Sequence, residues 1–404
     1  MSSRAVAGEI LDRIIRGGAY SNVVVRTATT ELGDLDRRFV QRLVFGALRD
    51  LLRIDRALAA VSTRPLPRLD PVVLSTLRIG GEELLFARGA PHAAVDGAVT
   101  AVKERGMPAA AGFVNAVLRA VAGTGEAAIP AGAEGTALRL GVAPWLLDQV
   151  TAAMGRAGAE EFLAASNTEP AIGIRRRGRS PVPGVPVAGI GGAFLCDDAS
   201  AVAEAVAAGH AIVTDPASVA VGLAVAVAPG MVAADLAAAP GGKTLHLWDA
   251  MDHRGVLVAA DLHQRRARRA AQRTGPGIRW LVADAVHPAL RSARFDRVLL
   301  DAPCTGLGTL RRRPEIRHRV RPESAAEAGR RQRAMLEAAL PLLRAGGRLV
   351  YSVCTVLAEE TVEVVAGLGA RPPEGLPGER LGDGLLLAPH LTGTDGMFIA
   401  VIES

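Results

Sequence analysis

Met231-Val-Ala-Ala-Asp235-Leu-Ala-Ala-Ala-Pro240-Gly-Gly-Lys243-Thr244 is the stretch on which the fold turns. An apolar run ends in an acidic residue, and a Pro-Gly-Gly turn then opens a helix. That is the first βα unit of a doubly wound sheet, whose ligands lie beyond the carboxyl ends of its strands. Working outward, further strands are expected at Gly255–Asp261, Ile278–Asp284, Arg297–Asp301 and Arg348–Cys354, after the first at Val232–Leu236. Their apolar runs do not alternate with polar residues, as strands buried on both faces should not. Asp235, Asp261, Asp284 and Asp301 all close such runs and are the first candidates for ligand contact.

Two ligands compete for the glycine turn. A phosphate loop of the GxxxxGK[ST] type needs glycine where Ala237 stands, although Gly242, Lys243 and Thr244 fit it and Val298–Asp301 could pass for the magnesium-holding strand. A nucleoside cofactor such as S-adenosylmethionine needs close backbone approach and an acid at the end of the second strand for its ribose hydroxyls, and Asp261 is that acid. Asp284 could accept the adenine amino group, or could simply cap the segment after it.

The chain has 3 cysteines in 404 residues and no CxxC pair, which excludes a disulfide framework and a cysteine metal site and points to a reducing cytoplasm. A lone free cysteine is ordinarily an inert core residue. Here two of the three follow adjacent strands, in Asp301-Ala-Pro-Cys304-Thr and Tyr351-Ser-Val-Cys354-Thr. Carbon 5 of cytosine is too poor a nucleophile to take a methyl group unaided. A thiolate added at carbon 6 makes carbon 5 enamine-like, after which the carbon 5 proton must leave and the thiolate be expelled. That chemistry needs a reactive thiol, a partner for the N3/N4 edge and a base, for which Cys354, Asp301 and Cys304 are the candidates.

Upstream the pattern is helical. Ala7–Arg16, Leu35–Ala60, Pro71–Ala87, His92–Arg105 and Ala110–Ala120 carry apolar residues at three- and four-residue spacing. Gly123–Gly135 reads as a linker and Pro144–Ala165 as helix again. Ala171–Gly191 reads as a short strand and loop whose Arg175, Arg176, Arg177 and Arg179 form either a basic edge or a solvated surface charge run. The Ala/Val run Ala217–Leu236 contains Pro229, Gly230 and Asp235, so it reads as a buried helix and a core strand; no membrane span and no signal peptide are expected. Lys+Arg 47 against Asp+Glu 41 leaves +6, a balance that suits a polyanionic partner and could equally reflect an arginine-rich base composition.

With these residues in view the chain resembles the Sun/RsmB type of ribosomal RNA 5-methylcytosine methyltransferase, within the Nop2/Sun family. The likeness runs through Asp235–Thr244, Val256–Asp261, Val282–Asp284, Phe295–Gly306 with Arg311–Ile316, Leu349–Cys354 with Glu359 and Glu360, and Asp395–Val401. Arg38–Arg49, Pro91–Val95 and Gly112–Arg119 are similar to the family's NusB-like RNA-binding domain. The resemblance implies a NusB-like helical domain at 1–123, a linker and small RNA-contacting subdomain at 124–230, and a Rossmann-like class I methyltransferase domain at 231–404.

It further implies S-adenosylmethionine bound by Ala237, Ala238, Ala239, Pro240, Gly241, Gly242, Lys243, Asp261, Asp284 and Asp301, with Cys354 as nucleophile and Cys304 assisting product release. A cytidine in small-subunit ribosomal RNA is the implied target, and a monomer without metal the implied form. Ala237, Val353, Thr355, Ala358 and His318 depart from the commoner residues, and the middle segment 171–230 is short for the family. The competing functions are a NusB-like RNA-binding or antitermination factor with a non-catalytic α/β domain, a P-loop nucleotidase, and a DNA-type cytosine methyltransferase with Cys304 of Pro303-Cys304 as nucleophile.

Overall fold

A computed structural model describes residues 1–87 and 89–404. The chain divides into two compact units, Met1–Asp148 with Arg312–Arg319, and Gln149–Arg311 with Val320–Ser404.

The first unit is helical: α1 (Ser3–Ile15), α2 (Ser21–Ala28), α3 (Asp34–Arg49), α4 (Leu51–Val61), α5 (Pro71–Leu85), α6 (Pro91–Glu104), α7 (Ala111–Thr124) and α8 (Gly132–Arg139). Side-chain caps open α1, where the Ser2 hydroxyl accepts the Ala5 N–H, and α5. Asp70 accepts the Val72 N–H at 2.8 Å and Pro71 takes the first helical position, where no amide donor is needed. The apolar stripes of these helices meet in one core, in which Ile10, Leu43, Leu58, Leu77 and Leu118 are fully buried.

Two sequence expectations change here. The single helix expected over Leu35–Ala60 is two, separated at Asp50, whose φ of −100° and ψ of 15° leave the α region. The expected linker 123–135 ends in helix α8. The inserted segment Arg312–Arg319 is tied into this unit by buried polar contacts. Ser21 donates its N–H and hydroxyl to Glu315 at 3.0 and 2.6 Å, and Arg317 donates to the carbonyls of Arg49 and Leu140. His318 lies 2.7 Å from the Leu48 carbonyl through Nε2. Burial pulls this imidazole down to about 4, so it is neutral and Nε2 carries the donated proton.

Helix α9 (Pro144–Ala165) carries the chain onward and is interrupted at Gly155, with φ 73° and ψ 166°. The second unit opens with an antiparallel sheet of β1 (Ile172–Arg176), β2 (Val185–Pro186), β3 (Ala193–Cys196) and β4 (Ala211–Val213), in the order β2-β3-β1-β4. Helices α10 (Ala199–Ala207) and α11 (Pro216–Val225) accompany it.

Five parallel strands come next: β5 (Val232–Asp235), β6 (Val256–Asp261), β7 (Ile278–Val282), β8 (Phe295–Asp301) and β9 (Leu343–Val353). An antiparallel edge completes the sheet, β10 (Glu379–Leu381), β11 (Gly384–Leu387) and β12 (Met397–Glu403). The order is β10-β11-β12-β9-β8-β5-β6-β7. The strand order reverses at β5, which pairs with both β6 and β8, so the switch point of the sheet lies above Asp235. Helices α12 (Gly242–Ala250), α13 (Gln264–Thr274) and α14 (Ser324–Ala339) cover its faces.

The five expected strands are all present, and Ala217–Leu236 is the buried helix α11 and the core strand β5. The arginine cluster is neither a plain solvated run nor a free basic edge. Arg175, 5% exposed, and Arg177 both ion-pair with Asp249 on α12 at 2.7 Å, and Arg176 lies over the Phe194 ring. Among the described residues no helix is long and apolar enough to cross a membrane, and no group of acidic, histidine and cysteine side chains could hold a metal ion.

Candidate active site

β8 and β9 run parallel in register, with Leu300 beside Tyr351 and Asp301 beside Ser352. The segments leaving them at the carboxyl edge therefore start side by side. Cys304 follows the end of β8 and Cys354 directly follows β9, which brings the two sulfurs to 3.3 Å. The third cysteine, Cys196, is buried in the small sheet. The Cys304 loop is fastened across the Cys354 backbone by the Gly308 N–H, which donates to the Cys354 carbonyl at 2.9 Å. A Cβ on Gly308 would stand 2.1 Å from the Gly396 carbonyl oxygen, so this approach requires glycine.

Charge around the pair is ordered. One oxygen of Asp301 accepts from the Lys243 ammonium at 2.8 Å and the other from the Ser352 hydroxyl at 2.8 Å. Burial works against the charge on Lys243, yet Asp301, with smaller contributions from Cys354 and Asp235, holds the ammonium above its ordinary value. The hydrogen bond to Cys354 and then burial push the Cys304 thiol well up, and the negative charges of Cys354, Glu360 and Asp301 add to this. Cys304 is thereby held as the protonated thiol of the pair.

Beneath the thiols lies a buried network to which sequence reading assigned no role. Glu360 accepts the Thr305 N–H at 2.8 Å and the Gln332 amide at 3.1 Å on one oxygen, and the Thr305 and Thr355 hydroxyls at 2.5 and 3.1 Å on the other. Gln332 also donates to the Pro303 carbonyl at 3.0 Å, and the Tyr351 hydroxyl lies 2.7 Å from the Glu360 carbonyl. Burial raises the Glu360 carboxyl while these donors oppose the rise.

Around the switch point, Asp235 is buried. One oxygen takes the Thr244 hydroxyl at 2.7 Å and the other has no partner, and burial pushes the group up to about 7. Asp261 accepts the Ala239 N–H at 3.2 Å and the His263 N–H at 2.9 Å, and stands 3.6 Å from Arg266. The turn Ala237–Gly241 folds over it, with Gly241 at φ 97° where its Cβ would meet Thr274, while the Cα of Gly242 faces open space. Leu262 and Val282, 43% and 52% exposed, stand at the same edge, and Val282 is the register partner of Asp261. Sequence reading gave neither a role, because one exposed aliphatic residue at a strand end carries no signal. Asp284 accepts the Val286 N–H at 3.0 Å, which is the capping role. The Lys243 ammonium and the Thr244 hydroxyl are turned to Asp301 and Asp235, and not outward as a phosphate loop would hold them.

The unpartnered oxygen of Asp235, the backbone-held carboxylate of Asp261 and the flanking apolar pair fit a nucleoside with a free ribose better than a triphosphate.

Comparison with known proteins agrees. Residues 223–403 match the profile of 16S rRNA methyltransferase RsmB/F, and residues 1–123 match the NusB family. The chain is 34% identical to a putative methyltransferase of Mycobacterium tuberculosis, covering 99% of this chain and 96% of that one. It is 30% identical to ribosomal RNA small subunit methyltransferase B of Klebsiella pneumoniae, covering 95% of this chain and 97% of that one. Among solved structures, the protein PH0851 superposes with a TM-score of 0.85 at 24% identity over 100% of this chain and 99% of that one, which supports the fold. The chain belongs to the RsmB/F family of 16S rRNA methyltransferases and carries a NusB-family domain at its N-terminus.

Proposed function

We propose that this protein transfers a methyl group from S-adenosylmethionine to carbon 5 of a cytidine in small-subunit ribosomal RNA, with Cys354 as nucleophile and Cys304 as the group that completes the elimination. The observation that carries this reading is the 3.3 Å contact between the two thiols beside Asp301. A methyltransferase acting on an oxygen or an exocyclic nitrogen has no use for paired thiols, whereas addition to and elimination from a pyrimidine ring needs a nucleophilic thiol and a base for the carbon 5 proton, and a second thiol beside the first can be that base.

Asp261, the turn Ala237–Lys243 and the apolar pair Leu262 and Val282 would hold the cofactor, with Asp284 at its far end. S-adenosylmethionine supplies the electrophilic methyl group. Cys354, as the thiolate, adds to carbon 6 and moves electron density to carbon 5 and the ring edge. Asp301, fixed between Lys243 and Ser352, accepts a hydrogen bond from the cytosine amino group and orients the ring.

Once Cys354 is a thioether it no longer holds Cys304 protonated by hydrogen bond and charge. Cys304 then releases its proton to solvent and takes the carbon 5 proton, and the carbon–sulfur bond breaks to return Cys354 as thiolate. One proton is released per methyl group transferred, and both sulfurs end as they began.

Charge supports an RNA substrate. Helix α13 has five arginines and no acid, of which Arg265, Arg268 and Arg269 are exposed and have no acidic partner among the described residues. Incubating the purified chain with isotopically labelled S-adenosylmethionine and unmodified small-subunit RNA, then digesting to nucleosides, tests the reading. Labelled 5-methylcytidine is expected, and label on any other position overturns it.

A further inference from the structure

Each of the two cysteines is followed by a threonine, and both threonines end on one carboxylate. Thr305 and Thr355 bring their hydroxyls to 3.1 Å from each other and to 2.5 and 3.1 Å from the same oxygen of Glu360, 55 and 5 residues away along the chain. The other oxygen of Glu360 accepts the Thr305 N–H and the amide of Gln332, which also grips the Pro303 carbonyl. Every donor around the carboxylate thus belongs to the Cys304 loop, to the residue after Cys354, or to a side chain that itself holds the Cys304 loop.

The carboxylate has little freedom of its own. Glu360 is fully buried, and its carbonyl is 2.7 Å from the Tyr351 hydroxyl on β9. Helix α14 approaches so closely that a Cβ on Gly329 would lie 2.0 Å from the Glu359 carbonyl oxygen. A glycine inside a helix is unfavourable relative to alanine, and close packing against the backbone of the residue before Glu360 accounts for it.

We propose that Glu360 is the positioning residue of the thiol pair, a single buried carboxylate that holds the loop of Cys304 against the end of β9 and so sets the distance between the two sulfurs. It touches neither sulfur and is not a catalytic residue. The proposal rests on the reading of Cys354 and Cys304 as the reacting pair only for its effect on turnover; the geometric claim is independent of it. The same carboxylate adds its negative charge to the groups that keep Cys304 protonated, so removing the charge and removing the tether have separable consequences.

Two variants separate them. Glu360→Gln can still offer an oxygen to Thr305 and Gln332 and turn its amide toward the two hydroxyls, which can accept, so the tether survives without the charge. Glu360→Ala loses both. Thr355→Val cuts one arm at constant volume and serves where the alanine variant fails to fold. The rate at which glutathione disulfide drives formation of a Cys304–Cys354 disulfide in the full chain reports the sulfur separation without any methyl transfer. That rate is expected to fall at least tenfold in Glu360→Ala and severalfold in Thr355→Val, and to stay within about threefold in Glu360→Gln.

In parallel, kcat with S-adenosylmethionine and small-subunit RNA is expected to fall about 100-fold in Glu360→Ala with KM for the cofactor unchanged. Alkylation of Cys304 in the Cys354→Ser background is expected to shift to lower pH in Glu360→Gln. A wild-type disulfide rate in both Glu360→Ala and Thr355→Val overturns the positioning role. If the disulfide rates change as expected while wild-type protein makes no 5-methylcytidine, the positioning role stands and the proposed function fails.

Discussion

The Lys243 ammonium lies 2.8 Å from the carboxylate of Asp301, joining the glycine turn after β5 to the strand that leads into Cys304. Two functions meet in this pair. The lysine that a phosphate loop would aim at a nucleotide is held instead by the acid beside the thiols, and it places a positive charge near Cys354, the sulfur that the proposed mechanism requires as a thiolate. Loss of Lys243 would therefore be felt in the thiol chemistry more than in cofactor affinity.

The ligand of the glycine turn is set by the same arrangement. S-adenosylmethionine should bind the isolated chain and magnesium ATP should not. Asp261→Ala should weaken cofactor binding at least tenfold, the scale of losing a hydrogen bond to a charged acceptor, while leaving the fold intact. Calorimetry with both ligands checks this. Tight, magnesium-dependent ATP binding, or unchanged affinity in Asp261→Ala, is the contrary result.

What sequence made legible was local. The βα unit at Asp235, the buried parallel strands and the two strand-end cysteines can all be read from runs of a few residues. The contacts that finish the site join distant residues: Lys243 to Asp301 across 58 positions, Thr305 to Glu360 across 55, Arg175 to Asp249 across 74. None has a spacing signature. The antiparallel edge was missed for another reason, since β10 and β11 are three and four residues long and sit among glycines and prolines that read as loop.

RNA affinity should depend steeply on salt, and the arginines with no internal partner should carry the dependence. On α3, Arg37 donates to the carbonyls of Thr29 and Leu32, and on α4 Arg53 pairs with Asp50 and Glu126, so the helices 37–53 have fewer free cations than their sequence implies. Replacing Arg265, Arg268 and Arg269 by alanine should reduce the slope of log affinity against log salt by about 2 to 3. Filter binding over a salt series measures it. An unchanged slope would remove α13 from the RNA-binding surface.

Stability should fall with rising pH through a buried carboxyl in the helical unit. Burial first, and then Asp50, push Glu82 up to about 8 against the opposing Arg49, Arg42 and Arg53. The folded value lies above the unfolded one, so the proton stabilises the fold fully below 4.5 and that contribution is lost as pH rises to about 8. Glu82→Gln imitates the protonated group. It should match wild type near pH 4.5 and melt several degrees higher at about pH 9. Parallel thermal melts over this range check the slope, and identical slopes for the two proteins would exclude Glu82 as its source.

The sharpest test separates the two sulfurs, because each removal stops the cycle at a different bond. Without the Cys354 thiolate nothing adds to carbon 6, so Cys354→Ala should be inactive and form no covalent complex. Without Cys304, addition and methyl transfer proceed, but nothing takes the carbon 5 proton and the carbon–sulfur bond cannot break. Cys304→Ala should then accumulate a protein–RNA adduct that survives denaturing electrophoresis, with turnover lower by roughly 10² to 10⁴, the range for losing a general acid–base group. The adduct must disappear in the double variant, since its bond is to Cys354. The 3.3 Å contact makes the contrast clean, because either sulfur could reach the same ring and only the order of events distinguishes them. If Cys354→Ala traps RNA and Cys304→Ala does not, Cys304 of the Pro303-Cys304 pair is the nucleophile and the two roles exchange.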